Sequence, residues 1–178
     1  MMNEFTPLSW AAHESPNPEV IKAYIKAGLD VDERGENGWT PLMSAAVGNS
    51  NPEITRALID GGAKVDARDA KGYTALMYAA LSREYSSPEV IRALIDAGAD
   101  INARDNKGGT ALTHAAISNR PEIITALLEA GAEVEGVKVQ LNFIEKLRNN
   151  PDKFLGKLKE MLGSSPDKVK EIMQELIE

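Results

Sequence analysis

The hydrophobic positions of this chain fall in short blocks that recur. One block opens on Asn17-Pro18-Glu19 and places Val20, Ile21, Tyr24 and Ile25 at i, i+1, i+4 and i+5, a single face of a helix. Ile54, Ala57 and Leu58 repeat that face after Asn51-Pro52-Glu53, and Val90, Ile91, Leu94 and Ile95 repeat it after Ser87-Pro88-Glu89. Arg120-Pro121-Glu122 opens a fourth copy. Asn or Ser before Pro reads as an N-cap followed by Pro at the first helical position. The acid that follows sits near the positive end of the helix dipole. Each block closes on a glycine (Gly28, Gly62, Gly98 and Gly131), which reads as a left-handed cap.

A second series precedes the first. Thr6-Pro7-Leu8, Thr40-Pro41-Leu42, Thr74-Ala75-Leu76 and Thr110-Ala111-Leu112 recur at steps of 34, 34 and 36 residues. Two residues after each comes an alanine pair: Ala11-Ala12, Ala45-Ala46, Ala79-Ala80 and Ala115-Ala116. Small side chains there let neighbouring helices approach closely. The pattern predicts a helix, a second helix and a connecting stretch per unit, with short β-prone pieces and turn residues in connections such as Asp100 to Gly109. One unit cannot bury its own apolar face, whereas stacked units bury a continuous core.

This register resembles the ankyrin repeat family, whose units run roughly D-x-x-G-x-T-P-L-H-x-A-A, then a second helix, then G-A-D-V-N-A. The chain carries Asp69-Ala70-Lys71-Gly72-Tyr73-Thr74-Ala75-Leu76, Asp105-Asn106-Lys107-Gly108-Gly109-Thr110-Ala111-Leu112 and Gly98-Ala99-Asp100-Ile101-Asn102-Ala103. The resemblance covers roughly residues 1–135 and implies an all-α repeat solenoid: four stacked helix-turn-helix units with short β-hairpin fingers. Three departures stand out. Ser9, Met43, Met77 and Thr113 replace the family histidine, so its usual hydrogen bonds to the loop backbone are expected to be missing. Gly35 replaces the turn-initiating Asp of the second unit. The third unit has a longer inter-helix loop, Ser82 to Ser87, which reads as a tolerated insertion before it reads as a functional one.

Residues 136–178 change character. Leu141, Ile144 and Leu147, then Phe154, Leu155, Leu158, Met161 and Leu162, then Val169, Ile172, Met173, Leu176 and Ile177 predict three short amphipathic helices. The first two read as a degenerate fifth pair without a finger, and the third as a helix that caps the open end of the stack. A partner-binding appendage is the sharper alternative. This tail carries eight basic and seven acidic side chains, against twelve and twenty in the rest.

Charge and composition narrow the function. A net charge of −7 argues against nucleic-acid backbones and anionic membrane surfaces. Cysteine is absent, which excludes disulfides, thiolate catalysis and cysteine-based metal sites and fits a reducing compartment. Met1 to Ser15 has no basic, apolar leader pattern, and no apolar run approaches 18 residues, so a cytoplasmic location is expected. Nothing in the pattern demands self-association, so a monomer is expected. His13 and His114 lie three repeats apart, too far to share a metal. Asp100 to Asp105 has Arg104 and Asp105 where a calcium loop needs a ligand and a glycine. No phosphate-loop or dinucleotide fingerprint occurs. An enzyme, a cofactor and a metal are therefore not expected.

The family resemblance implies that partners bind along a concave surface made by the fingers and first helices. Carried over residue by residue, it gives three lines. The residue before each Thr is Phe5, Trp39 and Tyr73, then Gly109. The residue after each alanine pair is His13, Val47, Leu81 and Ile117. The arginines at the finger base are Arg34, Arg68 and Arg104, with Lys71 and Lys107 at the tips. The expected function is recognition of a protein or peptide, with the arginine row suited to carboxylates. The alternatives are a spacer or scaffold with no dedicated groove, in which the aromatics pack on neighbouring fingers and each Arg pairs with Asp69, Asp105 or another acid, and a peptide reader built on the aromatic line. A methylated-amine cage is disfavoured, because rings one repeat apart sit about 10 Å from each other.

Overall fold

The computed structural model of the chain describes residues 6–118 and 120–133. Within them lie eight helices: α1 (Pro7–Glu14), α2 (Pro18–Lys26), α3 (Pro41–Gly48), α4 (Pro52–Asp60), α5 (Ala75–Leu81), α6 (Pro88–Asp96), α7 (Ala111–Ser118) and α8 (Pro121–Glu129). Phe5 and the predicted capping helices of 136–178 lie outside the described residues, as does the predicted boundary at 135/136.

Helix starts follow from side-chain chemistry. Thr6, Thr40, Thr74 and Thr110 each accept, through the hydroxyl, the amide three residues on, at 3.2 to 3.4 Å. Asn17 and Asn51 cap α2 and α4 by accepting the Glu19 and Glu53 amides at 3.0 Å, and Ser87 caps α6 through the Val90 amide. Such caps contribute about 1 kcal/mol each. Arg120 departs from the series: it makes no side-chain cap, and its guanidinium is used elsewhere. At the other end, Gly62 (φ +94°) follows α4, the Gly62 amide donates to the Ile59 carbonyl, and the Ala63 amide donates to Leu58. This is the paired C-terminal closure that left-handed glycine permits. The same pair of bonds closes α2, α6 and α8.

The helices form two layers. The first helices α1, α3, α5 and α7 pack in order against one another, and so do the second helices α2, α4, α6 and α8. Leu42, Leu76, Leu58, Leu94 and Leu127 lie fully inside, joined by Met43 and Met77. All four alanine pairs are buried. In α3 and α5 nearly every side chain is inside, because each helix has a neighbour on both sides as well as its own partner. The second helices keep one charged face outward, with ion pairs at i, i+3 such as Lys22–Glu19 (2.7 Å) and Arg56–Glu53 (3.3 Å).

Polar side chains tie the units together. Asp32 accepts the Lys64 amide, Asp66 the Asp100 amide and Asn102 the Glu133 amide, all at 2.8 to 2.9 Å. Ser82 and Ser118 donate back to the carbonyls of Val47 and Leu81, both at 2.8 Å.

The expected β-hairpin fingers are corrected. Among the described residues no strand forms. Each finger closes across its base on a backbone bond, Gly35 to Trp39 (2.9 Å), Asp69 to Tyr73 (3.1 Å) and Asp105 to Gly109 (2.8 Å), with a turn bond inside it from Gly38 to Gly35 (3.2 Å), Gly72 to Asp69 (3.0 Å) and Gly108 to Asp105 (3.0 Å). Among the described residues no further backbone bond joins the residues that flank each bonded pair, so no ladder follows. Successive fingers still join through backbone, with Ala70 N–H to Asn37 O (2.7 Å) and Asn106 N–H to Lys71 O (3.0 Å). A methyl on Gly72 would sit 2.9 Å from the Asn106 amide nitrogen, so glycine is required where the fingers meet.

Candidate functional site

The fingers are organised by buried carboxylates. One Asp69 oxygen accepts the amides of Lys71 and Tyr73, both at 2.8 Å, and the other accepts the Tyr78 hydroxyl at 2.6 Å. Asp105 repeats the arrangement with the amides of Lys107 (2.7 Å) and Gly109 (2.9 Å) and with the His114 ring at 2.9 Å. Burial pulls the Asp105 carboxyl up, but the two amides and the His114 ring outweigh it and hold the carboxyl below its ordinary value. Burial and the Asp69 hydrogen bond push the Tyr78 hydroxyl far above the usual tyrosine range.

The second finger has Gly35 in place of the carboxylate. There the Trp39 amide donates instead to Glu36 O at 3.3 Å, and the turn tightens into a 3-10 turn over Glu36–Gly38 with Asn37 left-handed. The predicted loss of the family histidine's loop contacts is thus only half the outcome. Met43 and Met77 are buried among apolar neighbours, but the residue after Met77, Tyr78, and the residue after Thr113, His114, each reach a finger carboxylate, whereas Ser44 after Met43 donates to the Thr40 carbonyl. Thr113 bonds the Thr110 backbone as well, accepting its amide and donating to its carbonyl. Tyr78 and His114 were not legible as site residues from the pattern; the signal available was their position nine residues after each finger Asp.

The aromatic line becomes a stack. Trp39 meets Tyr78 at 4.6 Å between centroids, Tyr78 meets Tyr73 at 5.2 Å, and Tyr73 meets His114 at 4.8 Å. The Trp39 indole N–H donates to the Tyr78 hydroxyl at 3.0 Å, which in turn donates a hydrogen bond to Asp69. Trp39 and Tyr73 are half-buried, each with its ring against the next unit's first helix. Burial, and after it the carboxylates of Asp105 and Asp69, raise the Tyr73 hydroxyl above its ordinary value.

The arginine line reaches backbone carbonyls, not acids. Arg34 donates to Gly38 O (3.2 Å) in its own finger and to Arg68 O (3.0 Å) in the next. Arg68 donates to Arg104 O, and Arg104 to Gly108 O at 3.3 Å. Among the described residues none of the three is ion-paired. All three remain exposed, as do Lys71 and Lys107 at the finger tips.

The apolar line forms a second row. Val47 and Leu81, near the ends of α3 and α5, are half-buried, and Ile117 of α7 is 42% exposed. Val47 lies seven residues beyond Thr40, so this row runs about 10 Å along the helix axis from the fingers. The structure brings the predicted residues into two rows rather than one cluster.

The inserted loop is tied to the next unit. Arg120 donates through one nitrogen to Ser82 O (2.6 Å) and Arg83 O (2.9 Å), and through another to Ser86 O (2.7 Å). Tyr85 stands exposed at its tip.

Among the described residues no helix is long and apolar enough to cross a membrane. A search of curated proteins finds none that matches this chain. The family model described as ankyrin repeats (3 copies) matches residues 8–105 and 84–137. That match spans most of the sequence and coincides with the stacked units, their alanine-paired first helices and their fingers; the chain belongs to the ankyrin repeat family.

Proposed function

We propose that this protein recognises a protein or peptide partner along its finger row and the adjoining ends of the first helices, and that the partner presents carboxylates there. Ankyrin repeats are in general protein–protein interaction modules. The observation that carries the finer reading is the charge at the fingers. In a chain of net charge −7, residues 34–38, 68–72 and 104–108 expose five basic side chains and one acid, Glu36. The two other acids there, Asp69 and Asp105, are buried and occupied by amides, a tyrosine and a histidine. A positive strip on an otherwise acidic surface selects partners by sign. Val47, Leu81 and Ile117 supply apolar contact beside it. On this reading the chain acts as a monomer in the cytoplasm, and its cysteine-free sequence suits a reducing compartment.

A spacer with no dedicated groove is the competing reading. The favouring observation is that Trp39, Tyr73, Arg34 and Arg68 all serve neighbouring units. Selection of random displayed peptides on the full chain decides between them. We expect enriched peptides to be net acidic, and the enrichment to disappear on an Arg68→Glu, Arg104→Glu variant that keeps its helical circular dichroism. A pool without charge bias, or the same pool on the variant, rejects the proposal.

A further inference from the structure

We infer that the segment 138–148 of this chain docks on the outward face of α8, across Thr125, instead of continuing the stack in register. This face belongs to a second helix and lies apart from the finger row.

The four second helices share one register. Lys22, Arg56 and Arg92 follow Pro18, Pro52 and Pro88 at the same offset, and each pairs with the glutamate three residues earlier. The Arg56 and Arg92 side chains stay 49% and 58% exposed, although a further unit stacks behind each. That position therefore faces outward, and a following unit does not cover it. In α8 the same offset from Pro121 places Thr125, which is only 5% exposed. The described helices packed on α8 are α6 and α7, which stand to it as α4 and α5 stand to α6. Helices α4 and α5 leave Arg92 open, so α6 and α7 do not account for the burial of Thr125. The Thr125 hydroxyl donates to the Pro121 carbonyl at 2.9 Å, the bond back along the helix by which a buried threonine satisfies itself. The site suits an apolar cover.

The first unit shows what an end without a described neighbour looks like: Pro7, Trp10, Val20 and Tyr24 are all exposed. In α7 and α8, Ile117 alone of the large hydrophobic side chains is exposed. Reach and charge name the occupant. Five residues lead from Glu133 to Lys138, a span of up to about 17 Å. Thr125 lies about 6 Å back along the helix axis from Glu129, the last residue of α8. The segment 138–148 carries Leu141, Ile144 and Leu147 at helical spacing, and Lys138, Lys146 and Arg148 against one acid, Glu145. Exposed Glu122 and Glu129 flank Thr125 one turn to either side, and α8 contains no base. Threonine in place of the base of the other units makes this face acidic, opposite in sign to the segment.

The sequence lacks cysteine, so single introduced thiols report cleanly in the full chain. Thr125→Cys is expected to react with a maleimide roughly tenfold slower than Arg92→Cys, because a covered thiol reacts only when its cover opens. Mild oxidation of the double variant Thr125→Cys, Ile144→Cys is expected to give an intrachain disulfide, and that of Thr125→Cys, Ile177→Cys is not. Thr125→Arg installs the base that α4 and α6 carry on their outward faces. It is expected to speed trypsin cleavage after Lys146 and Arg148 while cleavage after Arg83 stays at the parent rate. Equal labelling of the two single thiols, or unchanged cleavage in Thr125→Arg, overturns the docking, since a fifth pair stacked in register leaves this position open and tolerates arginine there. Disulfide-linked dimers mean that a second copy supplies the cover. A link to position 177 in place of 144 means that the last segment does. Either result overturns the choice of occupant.

Discussion

At the scale of single residues, the finger carboxylates tie local turns to the helices behind them. Asp105 satisfies two amides and the His114 ring from a buried position. Because its carboxyl is held below the ordinary value, the folded state sheds this proton more readily than the unfolded one. Between those two values the unfolded chain binds more protons, so the contribution is complete above the unfolded value, about 4, and lost as pH falls through the lower folded value. Chemical denaturation between pH 7 and pH 3 should show stability falling in acid, and Asp105→Asn should flatten that fall. Parallel curves for the two proteins would remove Asp105 from this role. The neighbouring unit makes the same contact through Tyr78 and Asp69, with the tyrosine held neutral by burial and that hydrogen bond.

At the scale of elements, the inserted loop has one tie that stands out. Arg120 sits where Asn17, Asn51 and Ser87 cap their helices, and it trades that cap for three bonds to carbonyls of residues 82–86. Arg120→Ala should cost about 2 kcal/mol, the scale of hydrogen bonds made by a charged group. Trypsin should then cut after the exposed Arg83 markedly faster. An unchanged cleavage rate would mean that the loop holds itself.

The helices were legible because all but α8 carry a Thr, Asn or Ser cap at the start, and the second helices add an apolar face at helical spacing and a closing glycine. The role of Arg120 was not, because its acceptors are backbone carbonyls more than thirty residues earlier, and a carbonyl leaves no mark in the sequence. The fingers were overread as hairpins, since turn residues announce a reversal of the chain but not whether enough residues flank it to pair. The candidate rows were legible as positions. That Tyr78 and His114 would anchor Asp69 and Asp105 was not, for helical register alone does not say which face meets the finger.

At the scale of the whole molecule, each unit is stabilised mainly by those beside it. Leu76 is buried in α5, which packs between α3 and α7, so Leu76→Ala should cost 2 to 5 kcal/mol of global stability, about the range for a buried leucine. Leu8 is equally buried, but its helix α1 packs against α3 and α2. Leu8→Ala should mainly speed amide exchange in α1 and α2 while leaving exchange in α5 to α8 close to that of the parent. Equal acceleration throughout the chain would show that the stack unfolds as one cooperative block.

The arginine row has a consequence for how such a molecule can grow. The side chain of Arg34 grips the carbonyl of Arg68, and the side chain of Arg68 grips the carbonyl of Arg104. One residue position is thus both plug and socket, and the junction is head-to-tail, the kind that a further copy can extend at either end. A unit spliced between Gly98 and Arg104 with its own arginine in this place would inherit a matching joint on either side. Duplication could lengthen the stack without inventing a new interface, and a module reversed in order would find socket facing socket.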